Sequence, residues 1–146
     1  MVHIVVLSEP QNHRCCYCGH RMGDVIRRLL PFIPRNTATK EHIVPRSYGG
    51  ETTRENLAAA CAQCNCLRGN MDYVAFSNLM KKWFARDPTL RARWHTLDRA
   101  ELNSFRQICL NTHERQLRGL GQKYSVYRDR HHTFMMNVGH RLQKRA

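Results

Sequence analysis

Two Cys-x-x-Cys pairs, Cys15/Cys18 and Cys61/Cys64, constrain this chain more than any other feature of its sequence. Two residues between paired cysteines let a tight turn aim both sulfurs at one ion, and zinc takes four such thiolates tetrahedrally. One shared ion would bring two distant points of the chain together. It would leave the long segment between them room for a strand, a loop and a second strand. Gly19 directly follows the first pair, and Cys16 or His20 could replace a ligand only at a worse spacing. Seven cysteines leave at least one outside any scheme of pairs. Cys16, Cys66 and Cys109 are therefore expected to be plain thiols. Without an export signal, a reducing interior and bound zinc explain the cysteines better than a disulfide framework. A redox dithiol is rejected, because it calls for a single motif opening a helix in a βαβ setting.

A chain of 146 residues is one domain of ordinary size, or one small domain with an extension. Its formal net charge of +13 favours a polyanionic partner, since each phosphate neutralised releases condensed counterions. Anionic membrane is the competing partner, but no apolar run approaches the roughly 20 residues of a membrane span. Met1–Leu7 reads as a first strand or an apolar N-terminal segment, not a signal peptide. The expected location is therefore intracellular and cytoplasmic.

Residues 1–70 are rich in Pro, Gly and β-branched residues, which predicts short strands and ordered loops. A strand is expected around Ala38–Val44, ending near Pro45. Pro31 and Pro34 punctuate the approach to it, and Gly49-Gly50 marks a loop after it. Residues 71–146 read as helices and hold most of the basic excess. Phe76, Leu79, Met80 and Trp83 fall on one helical stripe behind a candidate N-cap, Asp72, and Asp87-Pro88 ends that helix. Asp98 with Glu101 has the form of a capping box. Gly119 and Gly121 are C-cap or hinge candidates, and a last helix from about Gln122 aligns Tyr127, His131, Phe134, Val138 and Leu142. This extension either packs on the first half or forms a separate basic grip on nucleic acid. Lys81 and Lys82 are among its candidate phosphate contacts.

Between the cysteine pairs lie the groups that phosphodiester hydrolysis needs: a base for water and oxygen ligands for a cation. His42 titrates near neutral pH and can be the base. Glu41 beside it offers the carboxylate oxygen that Mg²⁺ prefers, and Asn65 adds a neutral oxygen just past the second pair. Neighbours on a strand point to opposite faces, so Glu41 and His42 converge only at a strand end or a distortion.

Glu41-His42-Ile43-Val44-Pro45-Arg46-Ser47, Gly49-Gly50, Glu55-Asn56-Leu57 and Cys61-x-x-Cys64-Asn65 with Arg68-Gly69 resemble the HNH endonuclease family in order and spacing. The resemblance covers about the first half of the chain. It implies an α+β architecture: a small ββα-metal HNH module over residues 1–70, stapled by a four-cysteine zinc site and followed by the helical basic extension over 71–146. It implies His42 as general base, Glu41 as the residue that binds or orients a catalytic Mg²⁺ or Mn²⁺, Asn56 as the tether of the loop carrying the base, and Asn65 as a further metal ligand. Arg68 falls where a basic residue near the scissile phosphate is common, and Arg46 is a candidate for the DNA-facing loop. Glu41 stands where Asp is commonest, and Asn65 where His is the stronger ligand. The implied activity is nicking of DNA, or double-strand cleavage by a dimer. Small stand-alone proteins of this kind resemble phage, mobile-element and restriction-type enzymes. The alternative is a zinc-stapled nucleic-acid-binding module without catalysis, or a partner in a DNA-processing assembly.

Overall fold

The computed structural model describes residues 2–23 and 33–120. The chain is mixed helix and sheet, built on an antiparallel pair of strands: β1 (Ala38–His42) and β2 (Leu57–Cys61). Their register runs from Ala38 opposite Cys61 to His42 opposite Leu57. Every residue of β2 is buried, and Ala58, Ala59 and Ala60 are small enough for other elements to close over it.

Of the two readings of Met1–Leu7, a first strand or an apolar N-terminal segment, the strand is not formed. Residues Ile4–Ser8 form one helical turn, α1, with the His3 imidazole accepting from the Val5 amide. The outer edge of β2 is already engaged by other groups. The Gln11 side-chain amide donates to the Ala59 carbonyl (2.8 Å) and accepts from its N–H (3.0 Å), and the Cys16 N–H donates to that same carbonyl. A side-chain amide thus stands in for a third strand.

Strand β2 runs straight into α2 (Ala62–Arg68), where the Cys61 sulfur accepts from the Cys64 amide. Helix α3 (Tyr73–Arg86) follows, with Asp72 accepting from the Ala75 amide as its cap and with Phe76, Met80 and Trp83 buried. It stops at Asp87, before Pro88, and α4 (Leu90–Arg93) leads into a tight turn over Trp94–Thr96. The Asp98/Glu101 capping box closes both ways: Glu101 N–H donates to Asp98 Oδ1 (2.8 Å), and Asp98 N–H donates to Glu101 Oε2 (3.2 Å). Helix α5 then runs Arg99–Leu120, passing through Gly119 without ending there. Pro31, Gly121 and the helix expected from about Gln122 lie outside the described residues.

One hydrophobic core runs across residue 70. Leu7, Met22, Leu57 and Leu67 pack with Phe76, Met80, Trp94, Leu97 and Cys109. Aromatic rings knit the second half of that core, with Phe105 of α5 4.6 Å from Trp83 and 5.4 Å from Trp94 between centroids. The described part of the extension is therefore packed on the strand-and-knuckle module. No helix among the described residues is long and apolar enough to cross a membrane.

Candidate active site and metal centre

The four paired cysteines are brought together. Cys15 and Cys18 lie in a turn closed by the Gly19 N–H on the Cys15 carbonyl, with Gly19 at φ 73°. That positive φ is a conformation glycine adopts without strain. Cys61 ends β2, and Cys64 sits in the first turn of α2. The sulfurs of Cys15, Cys18, Cys61 and Cys64 all lie within 4.8 Å of one another, and all four residues are buried. Four converging thiolates with no open position form a closed structural metal site, the donor set that suits zinc. Two groups from the second half reach it: the Trp94 indole N–H donates to the Cys64 sulfur (3.2 Å), and His95 Nε2 lies 3.3 Å from the Cys61 sulfur. Neither was legible as a partner from the sequence, because the contacts span about thirty residues. Cys16 is half-buried, Cys66 exposed and Cys109 buried, and all three are free thiols.

A loop leaves β1 at His42 and returns at β2, and Asn56 holds it. The Asn56 Oδ1 accepts from the Val44 amide (2.8 Å), while its Nδ2 donates to the carbonyls of Val44 (3.1 Å) and Glu51 (2.8 Å). Gly50 closes the same knot, since a Cβ there would lie 1.8 Å from the Val44 carbonyl oxygen. Within this loop the His42 Nε2 pairs with the Thr52 hydroxyl at 3.0 Å, a partner the motif did not reveal. Partial burial, with Arg46, Arg68 and Lys40 around it, lowers the pKa of His42 below its usual value. The imidazole is thus biased toward its neutral form, the state in which it can take a proton. Arg46 is exposed in the short helical turn after Pro45, and Tyr48 ends that turn with its hydroxyl 2.8 Å from His113 Nε2 on α5.

Glu41 and His42 do not converge. The ladder is regular to its last pair, so strand alternation turns Glu41 inward and leaves His42 half-exposed. Glu41 is 4% exposed and pairs with Arg68 at 2.6 Å. Burial, opposed by the Arg68 charge, raises its carboxyl to about 7.

Arg68 is not a surface contact for phosphate, as its position in the motif suggested. It is 2% exposed, and four of its N–H groups are spent inside the protein. It donates to Glu41 Oε1 and to the carbonyls of His42 (2.7 Å), Ile43 (2.6 Å) and Met71 (2.8 Å). One buried guanidinium therefore fixes the backbone at His42 and Ile43, directly after the imidazole, and the side chain of Glu41 before it. Lys81 and Lys82 are exposed on α3.

Asn65 and Arg68 are three residues apart and share the face of α2 that meets β1. The Asn65 Nδ2 donates to Thr39 Oγ1 (2.9 Å) and the Lys40 carbonyl (3.1 Å), which leaves Oδ1 uncommitted among the described residues. Glu41 Oε2 is buried without a hydrogen-bond partner. Both residues lie at the β1–α2 contact. A carboxylate oxygen and an amide oxygen are ligand types that a hard divalent cation takes, but Glu41 is buried between Arg68 and Tyr17 and turned away from His42.

Residues 15–70 match the family model described as HNH endonuclease. This segment is an HNH endonuclease domain. The HNH domain is also similar to the CRISPR-associated endonuclease Cas9 of Corynebacterium diphtheriae, at 37% identity over 70 residues. That alignment covers 47% of this chain and 5% of the Cas9 chain. The chain thus spans about a twentieth of the length of the curated relative it matches. No solved structure matches the chain.

Proposed function

We propose that the HNH domain is a metal-dependent endonuclease hydrolysing phosphodiester bonds of DNA. The observation that carries this reading is the state of His42. Its ring is half-exposed at the end of β1, anchored through one nitrogen by Thr52, and biased toward the neutral base. Its Nδ1 has no hydrogen-bond partner among the described residues, which leaves it to receive a proton from water.

The chemistry then assigns each residue a task. His42 deprotonates a water, whose oxygen attacks phosphorus as the bond to the leaving sugar oxygen breaks. Asn56, Gly50 and Arg68 hold the backbone around the imidazole, so its orientation is set before substrate arrives. Asn65 Oδ1 would hold the cation, Mg²⁺ or Mn²⁺, while Glu41 orients the site through its buried pair with Arg68. When bound, that cation neutralises charge on the phosphate and the leaving oxygen. Cys15, Cys18, Cys61 and Cys64 would hold zinc and so tie the β2–α2 junction, with Asn65 on α2, to the first knuckle. Arg46, Lys81 and Lys82 are the exposed cations assigned to the DNA backbone, in a chain of net charge +13. Four cysteines gathered at one metal site and three outside any disulfide suit a reducing intracellular compartment.

Nicking of supercoiled plasmid by the purified, zinc-loaded protein tests the reading, with Mg²⁺ or Mn²⁺ added or omitted and His42→Ala alongside. Cation-dependent nicking that disappears in the variant supports it. Equal nicking by His42→Ala, or none by folded DNA-binding protein with either cation, overturns it.

A further inference from the structure

Next to the catalytic loop lies a cleft of about 260 Å³ that no step of the hydrolysis uses. One wall is the first knuckle, through Cys16 and Tyr17. The other is α3, through Tyr73, Ser77 and Lys81 at successive turns, with Asn78 alongside. Cys16 and Tyr73 also pack on the cluster of Ile43, Val44 and Ala58, which includes the two residues after His42, so the cleft lies near the segment that carries the base. Its aromatic lining is fixed from behind: the Tyr17 and Tyr73 rings stand 5.2 Å apart at 46°, and the Arg68 guanidinium carbon lies 5.7 Å from the Tyr73 ring centroid. Its polar lining is uncommitted, since the side chains of Ser77, Asn78 and Lys81 make no hydrogen bond or ion pair among the described residues.

We infer that this cleft receives one unpaired nucleobase of a DNA strand, which would give the enzyme a preference for single-stranded, gapped or branched substrates. The inference rests on the nuclease reading above. A planar base is apolar on its faces and polar on its edge, and this cleft offers both surfaces. Tyr73 gives a stacking surface, Ser77 and Asn78 can each donate to and accept from a base edge, and Lys81 meets the adjoining phosphate. Aromatic stacking of this kind tolerates any base, because every base has a π-face. The volume is below the ~300–1,000 Å³ of clefts that bury larger ligands, in keeping with a single base. A base in closed duplex cannot enter without leaving its stack, so an already unpaired nucleotide has the advantage.

Fluorescence anisotropy of the zinc-loaded full chain tests this, without added Mg²⁺ or Mn²⁺. The probes are a fluorescein-labelled oligodeoxynucleotide of mixed sequence and the same strand annealed to its complement. Two variants are compared with wild type: Ser77→Trp, which fills the cleft, and Asn78→Leu, an exposed change that spares the core. The ratio of single-strand to duplex affinity should fall about tenfold in Ser77→Trp, the loss of one stacked base. Asn78→Leu should move it in the same direction. Zinc content and thermal unfolding identify a variant that has misfolded, in which case Asn78→Leu decides alone. An unchanged ratio in the folded variants overturns the proposal, because the cations then bind both forms through phosphate alone. Plasmid nicking keeps the two readings apart. Wild-type nicking with an unchanged ratio sinks only the cleft, whereas a shifted ratio in a protein that never nicks sinks only the nuclease.

Discussion

Replacing Arg68 by Met should destabilise the fold severely, through a mechanism that the geometry makes specific. Arg68 and Glu41 have side chains 0% and 5% exposed, and burial already raises the Glu41 carboxyl to about 7. Removing the guanidinium therefore leaves a buried carboxyl that loses its partner and must take up a proton. Breaking one partner of a buried pair costs about 3–5 kcal/mol. The His42, Ile43 and Met71 carbonyls lose their donors in the same step, which pushes the cost toward about 5 kcal/mol. Native domains hold only ~5–15 kcal/mol in total. Urea unfolding at saturating zinc measures the loss, read by the fluorescence of Trp83 and Trp94 in the core. The double variant Glu41→Met with Arg68→Met removes both charges, and replacing a whole buried pair by apolar side chains is far milder than halving it. It should therefore be more stable than Arg68→Met alone by about 2 kcal/mol or more. A loss under about 1 kcal/mol in the single variant, or a double variant no better than the single, would refute the argument. A surface arginine touching phosphate would behave in the opposite way, lowering DNA affinity and sparing stability.

Asn56→Ala removes three hydrogen bonds that tie Val44 and Glu51, and should lower the nicking rate constant at least about a hundredfold with zinc content unchanged; near-normal turnover contradicts its tethering role. Trp94→Phe deletes the indole donor to the Cys64 sulfur and should weaken zinc binding about 10–100-fold in a chelator competition, while unaltered affinity rejects that support. Burial and neighbouring positive charge lower the pKa of His42, so the base is neutral above that value and protonated below it. Nicking should therefore fall away only on the acid side, with a midpoint below ~6.5. A midpoint clearly above that value shows that another group titrates.

Short-range chemistry explains what the sequence revealed. The metal centre was legible because two residues between cysteines fix where both sulfurs can point, whatever surrounds them. Asn56 was singled out by its place in a motif, and its three bonds to Val44 and Glu51 are local to one loop. The Asp72 cap and the Asp98/Glu101 box were visible for the same reason, since each contact spans three residues. Met1–Leu7 reads as either a strand or an apolar N-terminal segment, because apolar composition does not say whether a sheet edge is free. Gln11, close by in sequence but 48 residues from Ala59, had already taken that edge.

The sequence by itself therefore determined the four paired cysteines, a strand from Ala38 that was expected to reach Val44 and ends at His42, the tether position at Asn56 and the net positive charge. Tertiary structure alone decided which side each charged group faces. Alternation along a regular strand separated Glu41 from His42, and the cost of burying a lone carboxylate drew Arg68 inward to meet it. Packing likewise decided that Trp94, His95 and His113, all outside the residues that match the family, reach back to the four-cysteine site and the loop after β1. Those choices depend on which apolar faces close over one another, and that is settled only when the whole core forms.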